Sequence, residues 1–205
     1  YSALPLKRNK IILWSNCFRS YGCNPKYITE YMLENYPNKF DIVWVIDNIV
    51  NIPESIPQNV RVVRYFSKEY LYELHTAGFV ICNARTDDSY LWKKRKGQVY
   101  IQTWHSSLRL KSIEKDAEKT LPESYIQAAK SDSEKIDYII SGCAFSSRIF
   151  KNSFWYDGKI LECGTPRIDY LLKEANKKEI FKKTDFFEYY RYTLYSPTSW
   201  TDDAF

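Results

Sequence analysis

Short apolar runs rich in β-branched and aromatic residues alternate with amphipathic stretches along nearly the whole chain, and this alternation limits the folds open to it. The runs KIILWS at 10–15 and FDIVWVI at 40–46 bracket a helical pattern at 25–35, which is a β-α-β opening. The pattern continues with a strand at 60–65, a helix at 67–76 that starts on a serine, and strands at 79–83 and 99–104. Helices are expected at 122–130, 145–152 and 169–183, with strands at 137–141 and 159–163 between them, and a new run opens at 192–195. Strands this apolar are buried on both faces, so the expected class is α/β, a parallel sheet covered by helices.

Composition narrows the classes of function. A chain of 205 residues can bury a full core, its 17% aromatic content is foreign to disordered segments, and it holds no apolar run long enough for a membrane-spanning helix. The net charge of +5 favours anionic partners such as nucleic acid, a phosphate-rich polymer or a lipid surface, although an ordinary solvated surface accounts for it equally well. The densest positive charge is Trp92-Lys-Lys-Arg-Lys-Gly97, with Tyr90 beside it. That run reads either as a patch for an anionic polymer or membrane surface, or as a solvated loop. Five cysteines, odd in number and without C-x-x-C spacing, fit a reducing cytoplasm. The chain begins without a methionine and stops just after a strand-like run and a turn, which is expected of a piece of a longer protein.

In sheets of this class ligands gather beyond the carboxyl ends of the strands, where loops vary and helix N-termini present unpaired N–H groups. None of the six glycines builds a G-x-G-x-x-G or a P-loop pattern, so dinucleotide and P-loop chemistry are poorly supported. The stretch YIQTWHSSLRL at 100–110 ends a strand on His105, one of only two histidines. An imidazole there can accept a proton at neutral pH; the alternative is a histidine hydrogen-bonded within a turn. His75 falls in the last turn of the helix at 67–76, where it suits the helix dipole. Ser106 and Ser107 could donate to a phosphate or simply shape the turn. Arg109, Lys111 and Lys115 offer cations to an anion, while Glu114, Asp116 and Glu118 nearly cancel them, as on a solvated helix. CGTPRID at 163–169 follows another strand, with Gly164 allowing a tight turn and Thr165, Pro166 and Asp169 preparing a helix start. The scattered histidines and cysteines show no metal-ligand spacing.

Three stretches go beyond this generic grammar: IQTWHSSLRLKSIEKDAE at 101–118, ILECGTPRIDYLL at 160–172 and YTLYSPTSWTDDAF at 192–205. In order and approximate separation they resemble the CDP-glycerol glycerophosphotransferase family of teichoic-acid and capsule polymerases. That family carries a Q-x-W-H-G motif with a Lys-rich segment, a G-x-P-R-x-D turn and a Y-A-P-T-[WF]-R-D-like stretch. The resemblance implies a GT-B arrangement of two Rossmann-like domains. Residues 1–191 would form the N-terminal, acceptor-side domain, and 192–205 would open the CDP-polyol-binding domain. It implies His105 as the general base that deprotonates an acceptor hydroxyl for attack on the β-phosphorus of CDP-glycerol or CDP-ribitol, with release of CMP. Trp104, Ser106, Ser107, Arg109, Lys111, Gly164, Thr165 and Arg167 would assist in binding substrate. The implied partner is a lipid-linked or capsular polymer acceptor and not nucleic acid, at the inner face of the bacterial membrane. Two departures stand out: Ser106 replaces the family's glycine, and Pro197-Thr-Ser-Trp-Thr-Asp202 lacks its arginine. A nucleotide-sugar glycosyltransferase of the same fold and a non-catalytic anionic-polymer-binding module are the competing readings.

Overall fold

The computed structural model describes residues 1, 3–49, 52–86, 92–106 and 109–172. Among them, β1 (Lys7–Leu13), β2 (Asp41–Ile46), β3 (Arg61–Arg64), β4 (Ala77–Cys82), β5 (Val99–Gln102), β6 (Tyr138–Ser141) and β7 (Lys159–Glu162) join into one sheet of order β3-β2-β1-β4-β5-β6-β7. All neighbouring strands are parallel. The helices are α1 (Cys23–Asn35), α2 (Lys68–Thr76), α3 (Glu123–Lys135), α4 (Ala144–Ser153) and α5 (Asp169–Leu172), with 3-10 turns at Glu114–Thr120 and Pro166–Ile168. The expected α/β class and parallel sheet are therefore present, and the strand order reverses direction between β1 and β4. The compact unit ends at Tyr170; of the second unit only Leu171 and Leu172 are described. The expected boundary at 191–192, the run at 192–195 and most of the expected helix at 169–183 lie outside the described residues. No helix among the described residues is long and apolar enough to cross a membrane.

Alternation along each strand builds a core on both faces. Ile12, Trp14, Val43, Val45, Val80 and Cys82 face one cluster with Tyr70, Leu74, Phe150 and Phe154 from α2, α4 and the residue after α4. Ile11, Leu13, Ile42, Trp44, Ile46 and Ile81 face the other, where Ile28, Met32 and Leu33 of α1 pack. Ser67 caps α2 as expected, its hydroxyl accepting from the Tyr70 N–H at 3.0 Å.

Several boundaries differ from the sequence reading for local reasons. β1 starts at Lys7, which pairs with Ala77 of β4, and the fully buried Lys10 within it has its ammonium bonded to the Glu73 carboxylate and to the Thr76 hydroxyl at 2.8 Å. β4 starts at Ala77, and Gly78 lets it pass the β1 backbone, since a Cβ there would sit 2.9 Å from the Lys7 carbonyl oxygen. β5 stops at Gln102, short of the expected residue 104, because Trp104 turns the backbone to φ +48°. α3 runs on to Lys135 instead of ending at 130.

Candidate active site

His105 sits just past the carboxyl end of β5, on an exposed turn. The residue before it is held in the left-handed region by Gln102, whose side-chain oxygen accepts from the Trp104 N–H at 3.0 Å. Gln102 is itself buried, and its amide nitrogen donates to the Ala84 carbonyl at 2.9 Å and to the Tyr100 hydroxyl at 3.1 Å. Trp104 is turned into the core, with its ring edge-on to Phe154 and stacked on His105 at 4.4 Å between centroids. At 8% exposure Trp104 is largely covered, lying beneath the His105 ring on which it stacks. The spacing Q-x-W-H thus has a physical meaning: Gln102 bends the chain, Trp104 anchors the bend, and His105 emerges from it.

His105 Nδ1 lies 3.0 Å from the Asn83 carbonyl oxygen, an acceptor only. Nδ1 therefore carries the hydrogen, and in the neutral ring Nε2 holds the lone pair. Asn83 follows β4, and its side chain pairs with Asn16, which follows β1. The Asn16 N–H donates to Asn83 Oδ1 at 2.9 Å, and Asn83 Nδ2 donates to Asn16 Oδ1 at 3.1 Å. These two bonds span the gap between β1 and β4, the point where the strand order reverses and where sheets of this type commonly take a nucleotide.

The second motif lies alongside. Asn24, at the start of α1 and 3% exposed, donates through Nδ2 to the carbonyls of Thr103 (3.2 Å) and Trp104 (3.0 Å), and its Oδ1 accepts from the Arg167 N–H at 3.3 Å. One buried amide therefore ties the loop after β5 to the turn after β7. A small, open cleft lies there, lined by Asn24, Thr103, Ser106, Gly142, Gly164 and Thr165 among others. Gly164 has φ +93° and open space where a Cβ would stand, so backbone conformation is what demands glycine. Arg167 is exposed, with one guanidinium nitrogen 3.5 Å from Cys23 Sγ. Ser107 lies outside the described residues.

The cations sort differently from the expectation. Arg109 is paired with Asp116, which also accepts from the Ser153 hydroxyl at 2.7 Å, whereas Lys111 is exposed. The segment expected to be a solvated helix is a 3-10 turn whose first residue, Glu114, is buried against Arg85 at 2.7 Å. Arg85 also bonds Asp132, Ser133 and the Phe154 carbonyl. In the basic run, Trp92 is buried, Lys94 bonds Asp137 at 2.7 Å, and Arg95 donates to the His75 carbonyl at 2.7 Å at the end of α2. Of its four cations Lys93 and Lys96 are exposed, while Lys94 and Arg95 tie the run to its neighbours. His75 ends α2 as expected, its Nδ1–H donating to the Leu71 carbonyl at 2.8 Å. Burial, reinforced by Asp132, pushes the Tyr100 hydroxyl well above its ordinary range and the Cys82 thiol up to about 12, so neither exchanges protons near neutrality.

Asn16, Asn24 and Asn83 were not visible as site residues in the sequence. They stand in loops and at a helix start, where asparagine is ordinary turn chemistry. The one available signal was the cluster SNCFRSYGCN at 15–24, polar beyond what a simple turn needs.

The chain is 32% identical over 213 residues to the teichoic acid poly(glycerol phosphate) polymerase of Bacillus spizizenii, covering 98% of this chain and 52% of that protein. It is 33% identical over 212 residues to the polymerase of the same description from Staphylococcus epidermidis, covering 98% of this chain and 28% of that one. The solved structure of the wall teichoic acid polymerase TagF superposes with a TM-score of 0.77 at 33% identity, over 87% of this chain and 44% of that one. This chain thus spans about half or less of the length of each of these relatives. A model of the family described as CDP-Glycerol:Poly(glycerophosphate) glycerophosphotransferase matches residues 1–205, and the chain belongs to that family.

Proposed function

We propose that His105 is the general base in the transfer of glycerol phosphate from CDP-glycerol to a hydroxyl of a teichoic acid polymer, with this chain forming the acceptor-side part of the enzyme. The observation that carries the proposal is the commitment of His105 Nδ1–H to the Asn83 carbonyl, which leaves the lone pair on Nε2 of an exposed ring. An acceptor hydroxyl gives its proton to Nε2 as its oxygen attacks the β-phosphorus of the donor. The new P–O bond forms while the bond to the bridging oxygen breaks, and CMP departs with that oxygen.

The surroundings support the same reading. The cleft is small and open, a place for one end of a polymer to rest and not a pocket that encloses a whole ligand. Ser106 and Thr165 line it with hydroxyls, Gly164 leaves it open, and Arg167 and Lys111 are exposed cations for phosphate. The asparagine bridge across the β1–β4 crevice favours donor binding elsewhere, in keeping with a GT-B partner domain. A ribitol phosphate donor or a capsular acceptor would use the same chemistry. The proposal includes a cytoplasmic site with peripheral contact at the inner membrane face, for which Lys93 and Lys96 are the exposed cations.

The test is CMP release from CDP-glycerol with a polyglycerol phosphate acceptor, using the longest native polypeptide that contains these residues. His105→Ala should lower acceptor-dependent release by about 10²-fold or more. Unchanged release would sink the role of His105, and exclusive use of CDP-ribitol would move the donor.

A further inference from the structure

We infer that Asn83 and Asn16 form a positioning pair that sets the tautomer and direction of the His105 ring; this rests on the reading of His105 as proton acceptor. His105 belongs to the loop after β5, but the carbonyl that orients it belongs to Asn83, in the loop after β4. Asn83 is 1% exposed, and both ends of its amide are used on Asn16. The orientation of that amide follows from its partner, because a backbone N–H must meet oxygen.

Asn16 is in turn held firmly. Asn16, Cys17 and Phe18 have φ of +49°, +53° and +65°, three successive residues in the left-handed region, which persists only where the surroundings enforce it. The Ser15–Ser20 bridge closes this loop, and Asn16 Nδ2 donates to the Ser20 hydroxyl at 2.8 Å. Phe18 stacks on Tyr65 with centroids 4.0 Å apart and on Trp14 at 5.1 Å. A continuous strut therefore runs from the aromatic anchor through Asn16 and Asn83 to the imidazole. It is needed because free neutral imidazole side chains favour the Nε2–H form, whose Nε2 has no lone pair to accept a proton. Asn83 selects the opposite form.

Nitrogen-15 NMR on histidine-labelled chain at alkaline pH tests this directly, since there are only two imidazoles to assign. His75 is an internal control, its Nδ1–H being held by Leu71 of its own helix. In the wild type, His105 should be in the Nδ1–H form. Asn83→Ala keeps the main-chain carbonyl but removes both side-chain bonds to Asn16 that position it, and should shift the tautomer ratio toward Nε2–H by about threefold, with the roughly tenfold worth of one net hydrogen bond as the upper limit and His75 unchanged. Asn16→Gly keeps the left-handed backbone and one of the two bonds, so it folds even if Asn83→Ala does not, and should move the ratio the same way by about twofold or more. A wild-type His105 in the Nε2–H form, or no change of ratio in Asn16→Gly, overturns the inference. In the native polypeptide kcat should fall in step with the Nδ1–H fraction while KM holds. A shifted tautomer with undiminished transfer would keep the positioning pair and reject His105 as base, whereas loss of transfer in His105→Ala with an unmoved tautomer would do the reverse.

Discussion

Lys10 and Arg85 are both cations sealed in the core, yet they sit in different company. Lys10 meets Glu73 and Thr76 near the amino edge of the sheet, and Glu73 is shared with Arg61, which also grips Asp41 through two bonds of 2.9 Å. That network opens to water, for the Arg61 side chain is 47% exposed. Arg85 lies just past the carboxyl end of β4 and is the only cation paired with Glu114 and Asp132 among the described residues, with side-chain exposures of 5%, 2% and 0%. The first network staples neighbouring strands to α2. The second gathers the 3-10 turn, α3 and the end of α4 behind the loop that carries His105. A shared carboxylate at the solvent edge has a second cation in reserve; two sealed carboxylates on one guanidinium do not.

Arg85→Met should therefore have the largest effect, because it strands two buried carboxylates. A loss of about 3–5 kcal/mol in denaturant unfolding is expected. A loss below that of Lys10→Met would break the comparison. Lys10→Met leaves Glu73 bonded to Arg61 and should cost about 1–2 kcal/mol by the same measurement. Acid titration of stability sharpens the contrast at the smaller end. Burial alone would raise the Glu73 carboxyl, but hydrogen bonds from Arg61 and Lys10 outweigh it and hold the group below its ordinary value of 4.5. A depressed folded pKa contributes stability that is complete above about 4.5 and is lost as the pH falls through the lower, folded value. Glu73→Gln should flatten that acid limb; a limb unchanged in the variant would show that other carboxylates carry it.

Much of the sheet was legible because burial on both faces forces continuous apolar runs, and each expected strand among the described residues is present. The place of His105, an exposed histidine just past a strand end, was legible too. What stayed hidden depends on partners far away in the chain. Glu114 looked solvated because its sequence neighbours are charged, while its partner Arg85 comes from another loop. The basic run could be read as a docking patch or a solvated loop because the acceptors of Lys94 and Arg95, Asp137 and the His75 carbonyl, lie outside it. Nothing local reveals that Trp104 is largely covered, or that its backbone N–H is bonded to the Gln102 side chain.

By itself, then, the sequence determined the class of fold, the strand ends where chemistry could sit, and the imidazole that could perform it, since these follow from periodicity and residue type. Only the tertiary structure decided which loops meet. Asn24 joins the turn after β7 to the loop after β5, and Asn16 reaches across the β1–β4 gap to Asn83, which holds His105. An asparagine side chain can bond to almost any exposed backbone group, so its partners are chosen by the packing of the strands that bring them together.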